Sequence, residues 1–350
     1  MFELSDDRKG GRMKMDQAGS SRLRRATVGD VARLAGVSPG TVSNTINGTR
    51  KVDETTRARV EAAIAELGYV PNIGARQFRT GRPSTIAVIS SMPAAIAAGP
   101  SRLGFMMEIA ASAAISALEQ NVALVLVPPV PEPAKALRNV AFDGALLVEP
   151  AADDPFFDIL EGRGVPVVGI GEPPASRAIP YVDLNYRETA DLLVRHLHEA
   201  GAAHFPLMLG ASARRSYEVM EEVYRTHAAV AGMTPTVLRV PEELGEEGAE
   251  KALTDLLAAR PEIDGILVPV DTLASGVITA LRAAGLDSVN GERVATRYDG
   301  IRAREERLTA VNLHLDVVAG LATRRLFEEL TGVVASRIIA APSPQLVLRR

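Results

Sequence analysis

The chain has 350 residues, of which 47% are hydrophobic and 23% charged, and its formal net charge is −4. This length can form cores for two or three domains, and no run of about 18 uncharged apolar residues indicates a membrane span. The sequence contains no cysteine, which excludes disulfides, thiolate metal sites and cysteine nucleophiles. The N-terminal segment MFELSDDRKGGRMKM lacks the apolar region of a secretory signal, so we expect a cytoplasmic protein.

The charge is divided unevenly along the chain. Residues 1–83 carry 15 Lys and Arg against 9 Asp and Glu, whereas the remainder carries 24 against 34. A basic N-terminal part on an acidic body is typical of a protein that binds a polyanion locally. Residues 1–26 contain the clusters RKGGRMK and RLRR, and we expect a flexible basic extension that either adds nonspecific phosphate contacts or is inert.

The next segment predicts two short helices joined by a glycine turn. Thr27 and Asp30 can form a capping box ahead of an apolar stripe with helical spacing, and Gly36 permits a sharp turn after it. Ser38 is a suitable N-cap for a second helix, with Pro39 at the first helical position. The spacing predicts a helix-turn-helix.

A third helix is expected to start at Asp53 and to end before Gly68, which gives a three-helix unit over residues 27–71. The second helix would present small and polar side chains outward, so that its N-terminal end can enter a major groove. Asn44 is suited to read a base edge because its amide can make two hydrogen bonds with adenine, whereas Thr41 and Ser43 suit phosphates. The alternative is a three-helix unit that packs without DNA. The predicted DNA-binding residues of this head are Thr27, Ser38, Pro39, Gly40, Thr41, Ser43, Asn44 and Asn47.

The same residues carry a family resemblance. The runs DVARLAGVSPGTVSNTING, VDETTRARVEAAIAELGYVPN and ARQFRTGR resemble the head and hinge of the LacI/GalR (lactose-repressor) family of bacterial transcription regulators. The similarity continues more loosely from about Thr85 to the C-terminus. Many members have an arginine where Asn44 stands, so the resemblance does not supply the operator sequence. It implies base recognition by Pro39, Gly40 and Asn44, with Thr41, Ser43 and Asn47 on the backbone side.

Residues 72–83 form the predicted hinge. NIGARQFRTG is long enough for about two turns of helix, which are marginal alone and are expected to order against DNA or a partner copy. Arg76 and Arg79 would contact phosphates. Phe78 stands where the family usually inserts a leucine into the minor groove, and it could act as a larger wedge or pack on the body instead.

After Pro83 the sequence alternates between apolar strands and helical patterns. TIAVISS, VALVLV, GALLVE and VPVVGI make a first set of strands, and FPLMLG, TVLRV, GILVPV and RVATRY make a second. This alternation is typical of parallel sheets with helices on both faces. We predict a small all-α helix-turn-helix head and an α/β body, residues 84–350, of two Rossmann-like lobes resembling periplasmic binding proteins. The N-lobe is expected at about 84–180 and 312–335, and the C-lobe at about 181–311 and 336–350.

Ligands of such sheets bind beyond the carboxyl ends of the strands. Because strand ends are exposed in any case, each polar residue there could instead be part of a turn or a helix cap. Charges of both signs favour a small polar effector, either a sugar or another polar metabolite. The predicted effector residues are Ser91, Arg102, Glu149, Arg215, Asp271, Tyr298 and Asp299.

The resemblance assigns several segments to the effector pocket, and the sequence departs from the family pattern there. VDTLASG begins with Val270, where many relatives have asparagine. RYDG stands where they have Gly-Tyr-Asp-Asp, and Leu313 stands where a polar residue is frequent. Arg215 matches an arginine that in relatives often holds a sugar hydroxyl or a carboxylate. The departures, together with the absence of tryptophan, leave open a pocket that senses no sugar.

The sequence lacks the motifs of common catalytic sites. Walker A, Gly-x-Ser-x-Gly and His-Glu-x-x-His patterns are missing, and His196 and His198 point to different faces of a probable helix. We expect no enzyme activity, no metal site and no cofactor. The alternatives to a regulator are a solute-binding module without a DNA role and an enzyme fused to a DNA-binding head.

The sequence therefore predicts a homodimeric transcription regulator, a repressor in preference to an activator. Its partners would be double-stranded DNA with a pseudo-palindromic operator and a small-molecule effector, with no membrane. Apolar helices of the body, such as GFMMEIAASAAISALEQ, are expected to form the dimer. The protein would be cytoplasmic and associated with the nucleoid.

Overall fold

The computed structural model describes residues 26–48, 50–69, 83–93, 104–130, 132–286 and 292–349. Contacts divide the chain into two units, Met1–Thr80 and Gly81–Arg350. Each unit has a hydrophobic core of its own. The predicted extension up to residue 25 and the hinge residues 72–82 lie outside the described residues.

The head consists of three helices, as the sequence predicts. They are α1 (Val28–Ala35), α2 (Pro39–Asn47) and α3 (Glu54–Leu67). Asp53 is the N-cap of α3 and not its first residue. A core of small and β-branched side chains holds the three helices together: Val31, Ala32, Ala35, Val42, Val60 and Ala63.

The body alternates strands and helices. Its strands are β1 (Thr85–Ile89), β2 (Ala123–Val127), β3 (Gly144–Val148), β4 (Val167–Ile170), β5 (Tyr181–Asp183), β6 (Leu207–Gly210), β7 (Val237–Val240), β8 (Ile266–Leu267), β9 (Val294–Ala295), β10 (Ala310–Asn312), β11 (Ile338–Ala340) and β12 (Gln345–Val347). Its described helices are α4 (Phe105–Glu119), α5 (Pro133–Ala136), α6 (Pro155–Glu161), α7 (Tyr186–Glu199), α8 (Arg215–Ala231), α9 (Gly245–Ala259), α10 (Asp271–Ala283), α11 (Ile301–Glu305) and α12 (Leu315–Thr331).

These strands form two parallel sheets, one in each lobe. The first sheet has the order β11-β5-β4-β3-β1-β2, and the second has the order β7-β6-β8-β9. The strand β1 is central to the first sheet, with Ile86 paired to Leu124 on one side and to Gly144 on the other. An antiparallel pair, β10 and β12, accompanies the two sheets. Four residues of β1 and all of β3 are buried, as expected for strands covered on both faces.

Two strands belong to the first lobe although the sequence placed them in the second. The predicted C-lobe contained residues 181–311 and 336–350, but β5 and β11 pair with each other, and β5 also pairs with β4. The chain therefore leaves the first sheet after Asp183 and, on its last passage, after Ala340. A strand's partner is set by tertiary packing, which periodicity along the chain does not reveal.

In the described part of the chain, no helix is both long enough and apolar enough to span a membrane. The same residues contain no cluster of three or more His, Asp and Glu side chains that could hold a metal ion.

Candidate functional site

The first helix of the head begins with a reciprocal cap. The Thr27 backbone N–H donates to Asp30 Oδ2 at 2.9 Å, and the Asp30 backbone N–H donates to Thr27 Oγ1 at 3.3 Å. At the other end of α1, Gly36 adopts φ +66°, a left-handed conformation that glycine tolerates best. The two features fix where α1 starts and where the chain turns into α2.

The second helix presents its N-terminal end to solvent. Ser38 Oγ accepts the Thr41 backbone N–H at 3.1 Å, and Pro39 and Gly40 are exposed. Thr41, Ser43 and Asn44 are partly exposed. The hydroxyls of Ser38 and Thr41 also lie 2.9 Å apart, so these two predicted contact residues support the helix end as well. Asn47 is the last residue of α2, and Arg76, Phe78 and Arg79 lie outside the described residues.

In the body, Glu149 lies at the carboxyl end of β3 and joins the first lobe to the second. Its carboxylate accepts hydrogen bonds from Tyr186 Oη at 3.0 Å and Ser216 Oγ at 2.6 Å, both from the second lobe. Its backbone has φ +48°, an unusual value for a residue with a side chain. The backbone of the next residues continues the junction, since the Ala152 N–H donates to the Ala213 oxygen at 2.8 Å.

Arg297 supplies the positive charge opposite Glu149. Its Nη1 donates to Glu149 Oε1 at 2.9 Å, and its guanidinium carbon lies 5.2 Å from the ring centre of Phe105 and 5.9 Å from that of Tyr186. Burial opposes the charge, but Glu149 overcomes this effect and raises the pKa of Arg297 above its ordinary value. The pKa of Tyr186 is also raised, by burial first and by Glu149 second. Both groups therefore keep their protons.

A second buried ion pair lies next to the first. Arg214 donates to the Glu149 backbone oxygen and stands 3.7 Å from Glu242, and both of these charged side chains are 1% exposed. Glu242 also accepts hydrogen bonds from Tyr217 and Ser212, each at 2.8 Å. The four charged residues form what we call the interlobe network: Glu149, Arg214, Glu242 and Arg297.

An acidic and aromatic edge borders this network. Tyr298 Oη donates to Glu108 Oε2 at 2.5 Å, and the rings of Tyr298 and Phe105 meet edge to face at 5.7 Å. Asp271 is partly buried, which raises the pKa of its carboxyl group. Its Oδ2 would lie 3.0 Å from a Cβ on Gly104, so the start of α10 closely approaches the start of α4 in the first lobe.

The remaining predicted effector residues are spread over three places. Ser91 lines a cavity of about 390 Å³ at the ends of β1 and β2, closed on one side by Glu243 of the second lobe. Arg215 lies in a separate groove of about 790 Å³ along α7 and α8, paired to Glu172 at 3.1 Å. Asp299 pairs with Arg349 and with Arg304. Arg102 lies outside the described residues.

Comparison with known proteins identifies both units. The family model "Bacterial regulatory proteins, lacI family" matches residues 27–72, and the model "Periplasmic binding protein-like domain" matches residues 194–350. The HTH-type transcriptional regulator AglR of Rhizobium meliloti (strain 1021) is 30% identical over 270 residues, which cover 73% of this chain and 73% of AglR. The chain belongs to the lacI family.

Solved structures of this family have the same fold. A complex of the transcriptional regulator CelR with cellobiose superimposes with a TM-score of 0.65 at 26% identity, and it covers 93% of this chain and 99% of CelR. The Lac repressor dimer bound to operator and the anti-inducer ONPF gives a TM-score of 0.74 at 22% identity, covering 93% and 98%. The predicted head and two-lobed body are therefore confirmed.

Sequence reasoning missed most of the interlobe network. Of the four members it selected Glu149 but not Arg214, Glu242 or Arg297. One signal pointed to Arg297, because the RYDG segment has an arginine where the lacI family has glycine. A buried arginine in a pocket segment needs an acidic residue nearby. For Arg214 no such signal exists, because only the phase of α8 decides that Arg214 is buried and the adjacent Arg215 is not.

Proposed function

We propose that this chain is a homodimeric transcriptional repressor that binds a pseudo-palindromic operator through the N-terminal end of α2. The proposal rests on the structure of this helix end. Ser38 caps the helix, and the next two residues, Pro39 and Gly40, are exposed and have small side chains or none. A narrow polar helix end fits a major groove, and two copies related by a two-fold axis would contact two half-sites. AglR, a transcriptional regulator by name, supports the same assignment.

Some residues of the head would contact DNA bases, and others would contact the DNA backbone. Asn44 would pair with adenine through two hydrogen bonds. Phosphates bind readily at helix N-termini, where Thr27 and Ser38 stand as the caps of α1 and α2. The other proposed backbone contacts are Thr41, Ser43 and Asn47 in the head and Arg76 and Arg79 in the hinge, where Phe78 would enter the minor groove.

An effector would bind between the two lobes of the body. The cavity that Ser91 lines has the volume of a small-ligand site and includes a residue of each lobe. The cellobiose bound to CelR supports a sugar or another small polar molecule for this chain. Glu149, Asp271 and Tyr298 would contribute polar groups from the junction of the lobes. Arg102 stays a prediction, and Arg215 and Asp299 would contact the effector only by leaving their present partners Glu172 and Arg349. An effector that prefers one arrangement of the lobes changes operator affinity by about 1–3 kcal/mol.

A DNA-binding experiment tests the first part. The operator is selected from random duplexes, and the Kd is then measured for every single base-pair change in one half-site. Asn44→Ala should lose about 1–3 kcal/mol at one base position and flatten the preference there, whereas Arg79→Ala should weaken all sequences alike. Arg33→Ala, on the exposed side of α1, is the matched control in the head. Equal losses on every sequence for Asn44→Ala and Arg79→Ala would refute the roles assigned to them.

A titration with metabolites tests the second part. The operator Kd is measured with cellobiose, ribose and a panel of polar metabolites, and one of them should change it at least about fivefold. The change should be weaker in a Ser91→Leu variant, which fills the cavity, than in the wild type. A panel without effect on operator affinity would instead favour a regulator whose pocket has lost its ligand.

Known relatives are regulators and not enzymes, and we extend this to the present chain. Like other members of the family, the chain would act in the cytoplasm, where the chromosome lies, and we propose that it stays associated with the nucleoid. Assay of turnover with the metabolites that alter operator binding would test the first statement, and fractionation with the chromosome would test the second.

A further inference from the structure

The interlobe network raises the question of what holds the lobes together when no effector is bound. Glu149 comes from the first lobe, whereas its hydrogen-bond donors Tyr186, Ser216 and Arg297 come from the second. The Arg297 guanidinium lies against the rings of Phe105 and Tyr186. A carboxylate with aromatic faces around it is the arrangement that proteins use to bind an organic cation.

We infer that the cleft contains a cation site and that its resting occupant is the chain's own Arg297, which acts as a built-in ligand and holds the lobes together. The inference rests on the proposed function only for its consequence on DNA binding. The free molecules that match the site are alkylguanidinium and alkylammonium ions, because they can give Glu149 a charged partner and also lie against the rings of Phe105 and Tyr186.

Burial makes this exchange selective. The Glu149 side chain is 1% exposed and that of Arg297 is 8% exposed. A neutral molecule that displaced Arg297 would leave a buried carboxylate without a counter-charge, which is strongly unfavourable. Neutral sugars therefore cannot take the place of Arg297, and the cavity lined by Ser91, which Arg297 does not line, would be a separate site for them.

The arginine joins the lobes at more than one point. Its Nη1 binds Glu149 after β3, and its guanidinium covers Phe105 at the start of α4, both in the first lobe. Its own segment follows β9 in the second lobe. Removing the side chain therefore removes contacts between lobes and leaves the fold of each sheet in place.

Chemical rescue tests the inference. Arg297→Ala is titrated with methylguanidinium at millimolar concentration, with N-methylurea as the uncharged molecule of similar shape. We expect methylguanidinium to raise the Tm of the variant by about 3 °C, and N-methylurea to leave it unchanged. Glu149→Gln added to Arg297→Ala should abolish the rescue because the carboxylate is lost. Arg282→Ala is the matched control, since Arg282 is an arginine of the second lobe that pairs with Glu306 and is 63% exposed.

The operator supplies an independent measurement. Arg297→Ala should change the operator Kd about fivefold or more, and methylguanidinium should move it back towards the wild-type value. Should Arg297→Ala fail to fold, Arg297→Gln keeps an amide donor for Glu149 and takes the same titrations. Equal stabilisation by N-methylurea, or rescue that survives Glu149→Gln, would overturn the inference. Failure of the wild type to bind any duplex would refute the proposed function, while the Tm titration would still decide the cation site.

Discussion

Removing one charge of the Glu149–Arg297 pair should destabilise the body, and removing both should cost less than the sum. The nitrogen and oxygen atoms lie 2.9 Å apart, and both side chains are more than nine-tenths buried. At an effective dielectric constant of about 20, such a pair attracts by about 4–6 kcal/mol before desolvation is subtracted. Desolvation offsets much of this attraction, but a single substitution leaves the other charge buried and unpaired, at a cost of about 3–5 kcal/mol.

A double-mutant cycle measures the coupling. The variants are Glu149→Gln, Arg297→Met and their combination, unfolded by urea at one fixed protein concentration because a dimer's stability depends on concentration. Glutamine keeps one oxygen for Tyr186 and turns its amide N–H towards Ser216, whose hydroxyl can accept a hydrogen bond as well as donate one, so the cycle reports mainly the charge pair. We expect a coupling energy of about 2–3 kcal/mol.

An exposed ion pair within the second lobe is the control for this cycle. Arg187 and Glu222 are 2.9 Å apart, like Glu149 and Arg297, but their side chains are 62% and 55% exposed. The coupling of this control pair should stay below about 1 kcal/mol, since water screens the charges. Two results would refute the argument that burial strengthens the Glu149–Arg297 interaction. One is that the losses in free energy of unfolding at the two positions are additive, and the other is that the two pairs have equal coupling energies.

Two further predictions concern packing and pH. A Cβ on Gly276 in α10 would lie 2.1 Å from the Glu246 backbone oxygen, so Gly276→Ala should lower the free energy of unfolding by about 1–3 kcal/mol. A Cβ on Gly320 in α12 would have its nearest neighbour, the Ser116 hydroxyl, at 3.7 Å, so Gly320→Ala should raise the free energy of unfolding by about 0.5–1 kcal/mol. Thermal unfolding of the two variants checks this pair, and similar Tm changes would contradict it. Burial lowers the pKa of His227 below its ordinary value of 6.5, so the unfolded chain binds the proton first and stability falls as pH drops through 6.5. The wild type should lose more stability than His227→Gln between pH 7 and about 5.5, as measured by urea unfolding, and parallel pH profiles would exclude this role.

The head could be predicted almost completely because its signals are local. A capping box, an N-cap with proline behind it and a left-handed glycine each act within four residues of the chain. Apolar spacing then places Val31, Val42 and Val60 in one core. The start of α3 differs by one residue only because Asp53 uses its side chain as the cap.

The body was predictable as an architecture and less so in its connections. Alternating strands and helices identify parallel sheets, but the pairing of β5 with β11 joins residues more than 150 positions apart. Similarly, Glu149 and Arg297 meet only because two lobes bring the ends of β3 and β9 together. Sequence spacing carries no information about such a contact, so the sequence alone could not predict which charged residues pair with each other.

Under the proposed function the two lobes must change their arrangement, and charged contacts between them suit such a change. An apolar contact is lost outright when it opens to water, which would make the open arrangement expensive. Buried ion pairs lose hydration on closing and regain it on opening, so the two arrangements differ by little net free energy. The pair of Glu149 and Arg297 has this property, because its two residues come from different lobes. A small free-energy difference is the condition under which the differential affinity of one ligand can shift the population of lobes and, through it, the occupancy of the operator.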